Sequence, residues 1–354
     1  MNPRPTLAAL TDAEAALLTP GALAATRARI APWLERTPLL PFDAGDPRVE
    51  LRLKLENRQA TGAFKARGAA NHALVFDRSS GAPGLVAYSS GNHAKALAWA
   101  GERAGVRVRV YMPENSYPSK IEACRAHGAE VVLTPTRADA DAAVVRAVRD
   151  EGWVAAPPYD SAVTVAGQAS VGLEVLEQWP EVDLFVAPIG GGGMLAGIAL
   201  AFADAAPTAR GPRRVLGVEP VGAAGMTRAL ASGAPTAVEI TSAIQGLTPP
   251  GAGRIGHAIA RELVERVDTI DDEAVLRAQA RLVRATDEAI EPAGAAAAAR
   301  VFAGLPAEWL EGRTEDDPLR VVAIVCGGNA DEAQLAALRN GDDAWLLPDG
   351  SRPA

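Results

Sequence analysis

Lysine is scarce in this chain: Lys54, Lys65, Lys95 and Lys120 are the only four, and arginine carries the remaining positive charge. Any chemistry that needs a primary amine falls to one of them. Lys65 follows Thr61-Gly62-Ala63-Phe64, at the point where an alternating segment gives way to an Ala-rich run that reads as a helix. The helix dipole disfavours a cation at a helix start. That field, together with burial, lowers the pKa of the amine and suits it to act as a neutral nucleophile or base. Lys54 belongs to the polar side of the alternation, and Lys95 and Lys120 fall in segments that read as amphipathic helices. These three are expected to be solvated surface charges.

Two further turns carry chemistry. Gly190-Gly191-Gly192-Gly193-Met194 joins the apolar strand DLFVAPI to a helix. Consecutive glycines let several amides converge, and the helix start adds a favourable dipole, so the turn reads as an anion cup. The spacing Gly191-x-Gly193-x-x-Ala196 also fits a dinucleotide fingerprint, with Glu219 ending a later strand in the place of a ribose-binding acid. Ser89-Ser90-Gly91-Asn92-His93 opens another helix. Its hydroxyl and amide groups can either cap that helix or hold a carboxylate.

These residues need elements to position them. Leu51, Leu53 and Leu55 alternate with Arg52, Lys54 and Glu56, the period of a strand with one buried face. A helical stretch is expected over Asp12–Leu34, with Pro and Gly interruptions. After the Ala-rich helix, GLVAY, VRVRVYMP, EVVLT, WVAAPP, DLFVAPI, RRVLGVEP and LRVVAIVCGG read as strands, and helix-period segments separate them. Helices are expected around 254–266, 272–288 and 293–303. Strands alternating with helices predict an α/β fold of parallel sheets with helices on both faces. The strands are too many for one small sheet, so two sheets are expected, the smaller over about Val86–Pro158.

Composition bounds the function. The 354 residues suffice for one large or two ordinary domains. A net charge of −8 points to no nucleic-acid partner. No apolar run reaches membrane-spanning length, and MNPRPTLAAL lacks a basic segment followed by an apolar core, so a soluble, cytoplasmic protein is expected. Cys124 and Cys326 are far apart in sequence, without metal-type spacing, and make no disulfide framework.

Thr61-Gly62-Ala63-Phe64-Lys65, Ser89-Ser90-Gly91-Asn92-His93, the four glycines at 190–193 and Cys326-Gly327-Gly328-Asn329 occur in that order. Together they resemble the fold type II pyridoxal-phosphate enzymes, specifically the threonine/serine dehydratase and serine racemase group, from about Thr37 to Asn329. The resemblance implies a two-domain fold like that of the tryptophan synthase β chain. Residues 1–85 and 159–354 would form a large domain with the cofactor, and 86–158 a small mobile one. It implies that Lys65 attaches pyridoxal 5′-phosphate and then serves as base at the substrate Cα. Phe64 would pack beside the cofactor ring, Asn92 would bond its 3′-oxygen, and Gly190, Gly191, Gly192 and Gly193 with Met194 would hold its phosphate. Cys326 would face the ring nitrogen, with Glu291 near the ring. Ser89, Ser90, Asn92 and His93 would receive the substrate carboxylate.

The implied activity is dehydration and deamination of a β-hydroxy amino acid such as threonine, serine or 3-hydroxyaspartate to a 2-keto acid and ammonia. Cys326 is a weak partner for the ring nitrogen, which leans towards prompt loss of a β-leaving group. An amino-acid racemase on the same scaffold is the alternative. Ser90 lies where racemases carry their second acid/base. A non-catalytic cofactor-binding protein is a third reading. Racemase-like members also imply a divalent cation such as Mg²⁺: Glu219 and the Ala223 carbonyl match two ligand positions, but the second acid position reads Gly225. Ala63 replaces a common serine. Pro158-Tyr159-Asp160 matches dehydratases on the substrate side. A homodimer is implied, and after Asn329 only a helix over Asp331–Arg339 and a Pro-rich tail are expected, with no regulatory domain.

Overall fold

The computed structural model describes residues 7–342. The Pro-rich tail and the first six residues lie outside the described residues. Ten strands form two sheets: β1 (Leu39–Phe42), β2 (Val49–Leu55), β3 (Leu85–Tyr88), β4 (Val108–Pro113), β5 (Glu130–Thr134), β6 (Val154–Ala155), β7 (Leu184–Pro188), β8 (Arg214–Pro220), β9 (Arg266–Ile270) and β10 (Leu319–Val325). The larger sheet has the order β1-β2-β10-β7-β8-β9, parallel except for the antiparallel edge pair β1 and β2. The smaller has the order β5-β4-β3-β6 and is wholly parallel. This is the expected α/β architecture with two sheets.

The parallel strands are apolar on both faces because helices cover both. Leu184–Pro188 is buried throughout. The helix Gly193–Asp204 is buried along ten of its residues. Ala-rich helices approach one another closely where glycine permits it. A Cβ on Gly68 would fall 2.7 Å from Gln168 Nε2, and one on Gly167 would fall 2.7 Å from the Arg67 carbonyl oxygen. The helix Lys65–Val75 is thereby seated against Ala162–Gln178. No helix among the described residues is long and apolar enough to cross a membrane.

Three expectations change. The Asp12–Leu34 stretch divides into helices Asp12–Leu17 and Pro20–Ile30, capped by Thr11 and Thr19. The helix expected to reach 266 stops at Leu263, and Arg266–Ile270, where no strand was expected, is an edge strand. β2 is not one-sided: Lys54 and Glu56 are both fully buried. Lys54, expected at the surface, donates from Nζ to Glu174 Oε2 at 2.8 Å, the Thr37 carbonyl at 2.8 Å and Gln178 Oε1 at 2.9 Å. The alternation was real, but its polar side faces a buried cluster of partners.

Candidate active site

In parallel α/β sheets, ligands bind beyond the carboxyl ends of the strands. β2, β10 and β7 are neighbours, and their carboxyl ends lead into Lys65, Cys326 and the glycine run respectively. Residues remote in sequence are thus delivered to one edge.

The loops there are stitched together through backbone atoms. Phe64 N–H donates to the Cys326 carbonyl at 3.1 Å, and Gly328 N–H to the Gly62 carbonyl at 2.9 Å. Ala63 and Gly327 form an antiparallel bridge, and Ala63 is fully buried where a serine hydroxyl would lie. Lys65 begins its helix, and its Nζ donates to the Pro158 carbonyl at 2.7 Å. It lies 4.9 Å from the centroid of the Phe64 ring. Burial lowers its pKa to about 8, while the Cys326 thiol and the Glu291 carboxyl raise it less.

The glycine run starts the Gly193–Asp204 helix, with Gly192 at φ +92°. Among the described residues, none of the amides from Gly190 to Leu195 donates to a protein acceptor. Side chains there would not fit: a Cβ on Gly191 would lie 2.1 Å from the Tyr159 ring, and one on Gly193 would lie 2.6 Å from the Tyr159 carbonyl oxygen. A row of free amides in a cradle that only glycine permits is the donor set for a phosphate. The loop containing Tyr159 is itself anchored. Asp160 accepts from Arg254 N–H at 3.1 Å and Ile255 N–H at 2.9 Å, capping the Arg254–Leu263 helix. Gly253 N–H in turn donates to the Gly191 carbonyl at 2.9 Å.

Asn92 and Glu291 come from the two different sheets' connections and meet: Asn92 Nδ2 donates to Glu291 Oε1 at 2.7 Å. Asn329 Nδ2 donates to Asn92 Oδ1 at 2.9 Å, and Lys95 Nζ donates to Asn329 Oδ1 at 3.0 Å. Lys95 is therefore part of the site's frame rather than a free surface charge. Burial raises the Glu291 pKa to about 7, opposed by the Asn92 hydrogen bond and by nearby lysines. Cys326 is buried, its Sγ 3.4 Å from the Ala293 carbonyl, and desolvation holds it firmly as a thiol.

One cavity of about 370 Å³ gathers Phe64, Lys65, Ser89, Ser90, Asn92, His93, Gly190–Gly193, Met194, Glu291 and Cys326. The structure bears on two further expectations. The His93 ring is buried and turned to the Ala156 carbonyl, 2.7 Å from Nε2, so the imidazole is not presented to a substrate. Glu219 and Ala223 do not line the cavity. Both Glu219 oxygens accept hydrogen bonds from the start of the Gly225–Ser232 helix: Met226 N–H at 2.7 Å, and Thr227 N–H and Oγ1 each at 2.8 Å. With glycine at 225, no group of three His, Cys, Asp or Glu able to hold a metal is assembled among the described residues.

Sequence reasoning missed a buried network two residues beyond Lys65. Arg67 donates to Glu56 from Nε and one terminal nitrogen, each at 2.7 Å. It also donates to Glu174 at 2.7 and 2.9 Å and to Ser170 Oγ at 3.0 Å. The available signal was Glu174, an acid set between Val171-Gly172-Leu173 and Val175-Leu176, whose burial demands a partner.

The site's donors fit pyridoxal phosphate: free amides for a phosphate, an amine of lowered pKa for the carbonyl, and a neutral thiol and a carboxyl beside the remaining space. Comparison with known proteins agrees. Residues 30–327 match the family described as pyridoxal-phosphate dependent enzyme. The chain is 36% identical over 320 residues to phenylserine dehydratase from Ralstonia pickettii, covering 89% of this chain and 94% of that one. It is 32% identical over 308 residues to serine racemase from Oryza sativa subsp. indica, covering 86% and 89%. The crystal structure of a T.th. threonine deaminase superposes with a TM-score of 0.78 at 36% identity, covering 88% of this chain and 99% of that chain. A glycine cradle, a buried lysine of lowered pKa and a matched family over most of the length leave no place for the dinucleotide reading, and the chain belongs to the fold type II pyridoxal-phosphate dependent enzymes.

Proposed function

We propose that this protein is a pyridoxal-phosphate dependent ammonia-lyase that converts a β-hydroxy amino acid of the threonine or serine type to a 2-keto acid and ammonia. The observation that carries the reading is the juxtaposition of Lys65, with a pKa of about 8, and the unpaired amides of the glycine cradle in one cavity. When bound, pyridoxal phosphate supplies an electron sink conjugated to the substrate Cα. Gly190–Gly193 and Met194 would hold its phosphate, Asn92 would bond its 3′-oxygen, Phe64 would pack beside the ring, and Glu291 and Cys326 would border it. Lys65 would be the attachment point for the cofactor, and its amine would serve as the base for the substrate Cα proton. Its lowered pKa keeps a useful fraction unprotonated near neutrality. Ser89, Ser90, Asn92 and the amides of their turn receive the substrate carboxylate. Cys326, held as a neutral thiol, would give the ring nitrogen no acidic partner, which would favour early departure of the β-hydroxyl.

Residues 86–158 act as a small domain that moves against the rest, and the protein works as a cytoplasmic homodimer. Racemisation is the second reading, favoured by one observation: Ser90 is exposed and lines the cavity, as a second proton-moving group must. The test is a panel of L- and D-threonine and serine, scored for keto acid and for the opposite enantiomer, with and without Mg²⁺. Keto acid as the main product, and visible cofactor absorbance lost in Lys65→Ala, are expected. Formation of the opposite enantiomer that falls selectively in Ser90→Ala would transfer the assignment to the racemase. A protein that takes up no pyridoxal phosphate would sink both.

A further inference from the structure

The part of the cavity away from Lys65 has an unusual charge balance. Lys120 and Arg137, both from the smaller sheet's connections, line it alongside Tyr88, Tyr117 and Tyr159. Three of the chain's four tyrosines thus face one space. Neither cation forms a salt bridge or a hydrogen bond with an acid among the described residues, and Lys120 acts on Glu291 only through space. Lys120 Nζ donates to Gln245 Oε1 at 3.0 Å, and Arg137 donates to the Thr248 carbonyl at 3.0 Å. Among nearby acids, Asp139 is bonded to Thr136, Glu122 to Arg125, and Asp160 to the Arg254–Leu263 helix. Among the described residues the only acid lining the cavity is Glu291, already bonded to Asn92. The cofactor phosphate has its own donors in the glycine cradle, so these two cations are surplus to it.

Resting on the ammonia-lyase reading, we propose that the side chain of the substrate carries a second anionic group, met by Arg137 and Lys120, so that the enzyme acts on 2-amino-3-hydroxy dicarboxylic acids in preference to serine, threonine or aryl-serines. The overall reaction balances as for the simple substrates. The Cα–H, β-C–O and C–N bonds break, the water lost in elimination is regained in hydrolysis, and 3-hydroxyaspartate gives a four-carbon 2-oxo dicarboxylic acid and ammonia. A guanidinium matches a carboxylate in a forked geometry that neither a methyl nor a phenyl group can use.

The test has two arms on the holoenzyme. In the first, kcat/KM is measured for 3-hydroxyaspartate, serine, threonine and phenylserine. 3-Hydroxyaspartate should lead, and Arg137→Gln should reduce its advantage over serine roughly tenfold to hundredfold, the range of one charge-assisted hydrogen bond. A lead for threonine, serine or phenylserine would overturn the proposal. So would an equal loss on every substrate, which marks Arg137 as a domain latch. In the second arm, succinate and butyrate are titrated against cofactor absorbance, and pyridoxal phosphate against the apoprotein. Succinate should bind at least about tenfold more tightly than butyrate in the wild type, with the gap closing in Arg137→Gln. Equal binding of the two acids, or weaker cofactor binding in the variant, would overturn it. If no amino acid in the panel yields keto acid, the lyase reading fails while this binding arm still decides the anion pocket.

Discussion

Arg67 and Glu56 form a bidentate ion pair with both side chains fully excluded from solvent. Glu56 directly follows β2, and Arg67 lies one half-turn beyond Lys65, so the pair fixes the helix that carries the reactive amine to the strand that precedes it. Lys54 and Glu174 complete a quartet with no net charge. Charges taken out of water at this cost hold only while every partner is present. Arg67→Met strips Glu56 and Glu174 of their shared cation and should destabilise the protein by about 3–5 kcal/mol. Urea denaturation of the two proteins measures it, and a loss below about 1 kcal/mol, the value of an exposed pair, would show that the network is not held as described.

Lys65 gives the apoprotein a characteristic pH dependence. Folding lowers its pKa from 10.5 to about 8. Between these values the unfolded chain keeps a proton that the folded chain has lost, so stability contributed at this site rises with pH across that window. Below about pH 8 both states are protonated and the full penalty of burying the ammonium applies. Lys65→Met lacks the penalty. The apo variant should therefore be more stable than wild type near neutrality, and the difference should shrink as pH rises from 8 towards 10.5. Denaturation midpoints of both apoproteins across that range check it, and a difference that stays constant would contradict the lowered pKa.

The frame of this site was legible because its pieces are local. Glycines 190–193 announce a turn with free amides, and Lys65 stands at a boundary between two periodicities. The charged interior was not legible. Lys54 and Glu56 occupy the alternate positions of β2 and its continuation just as solvated residues would, and only the helix bearing Glu174, far along the chain, turns that side inward. Arg266–Ile270 was hidden for a related reason: it is a half-exposed edge strand with alternate polar residues, running on directly from a helix. His93 was legible in part. Its place in a cavity-lining turn could be read, but a helix start sends its ring inward, to the Ala156 carbonyl.

The two cysteines should be inert in the folded protein. Both are buried, and desolvation raises the Cys124 thiol to about 12 and Cys326 further still. The thiolate is the reactive form, and almost none is present at about pH 8. Iodoacetamide at that pH should label neither residue until denaturant is added, when both should react; peptide mass spectrometry reads the outcome. Rapid native labelling of Cys326 would mean that the cavity opens to solvent around it.

Gly193 and Gly191 should respond differently to alanine, although they are two residues apart in the same cradle. At Gly193 the new methyl would meet the backbone of Tyr159, at 2.6 Å from its carbonyl oxygen and 2.9 Å from its Cα. That backbone cannot retreat easily, because Pro158 on one side receives Lys65 and Asp160 on the other caps the Arg254–Leu263 helix. The strain falls on the cradle, and amides aimed at the phosphate turn away. At Gly191 the clash is with the Tyr159 ring, 2.1 Å from its Cδ2, and a side chain can swing aside. Gly193→Ala should weaken pyridoxal phosphate binding roughly tenfold to hundredfold, the worth of one lost hydrogen bond to a charged group. Gly191→Ala should lose less. Titrating each apoprotein with the cofactor and following the visible absorbance gives both constants. A larger loss at Gly191 would mean that the Tyr159 ring, rather than its backbone, braces the cradle.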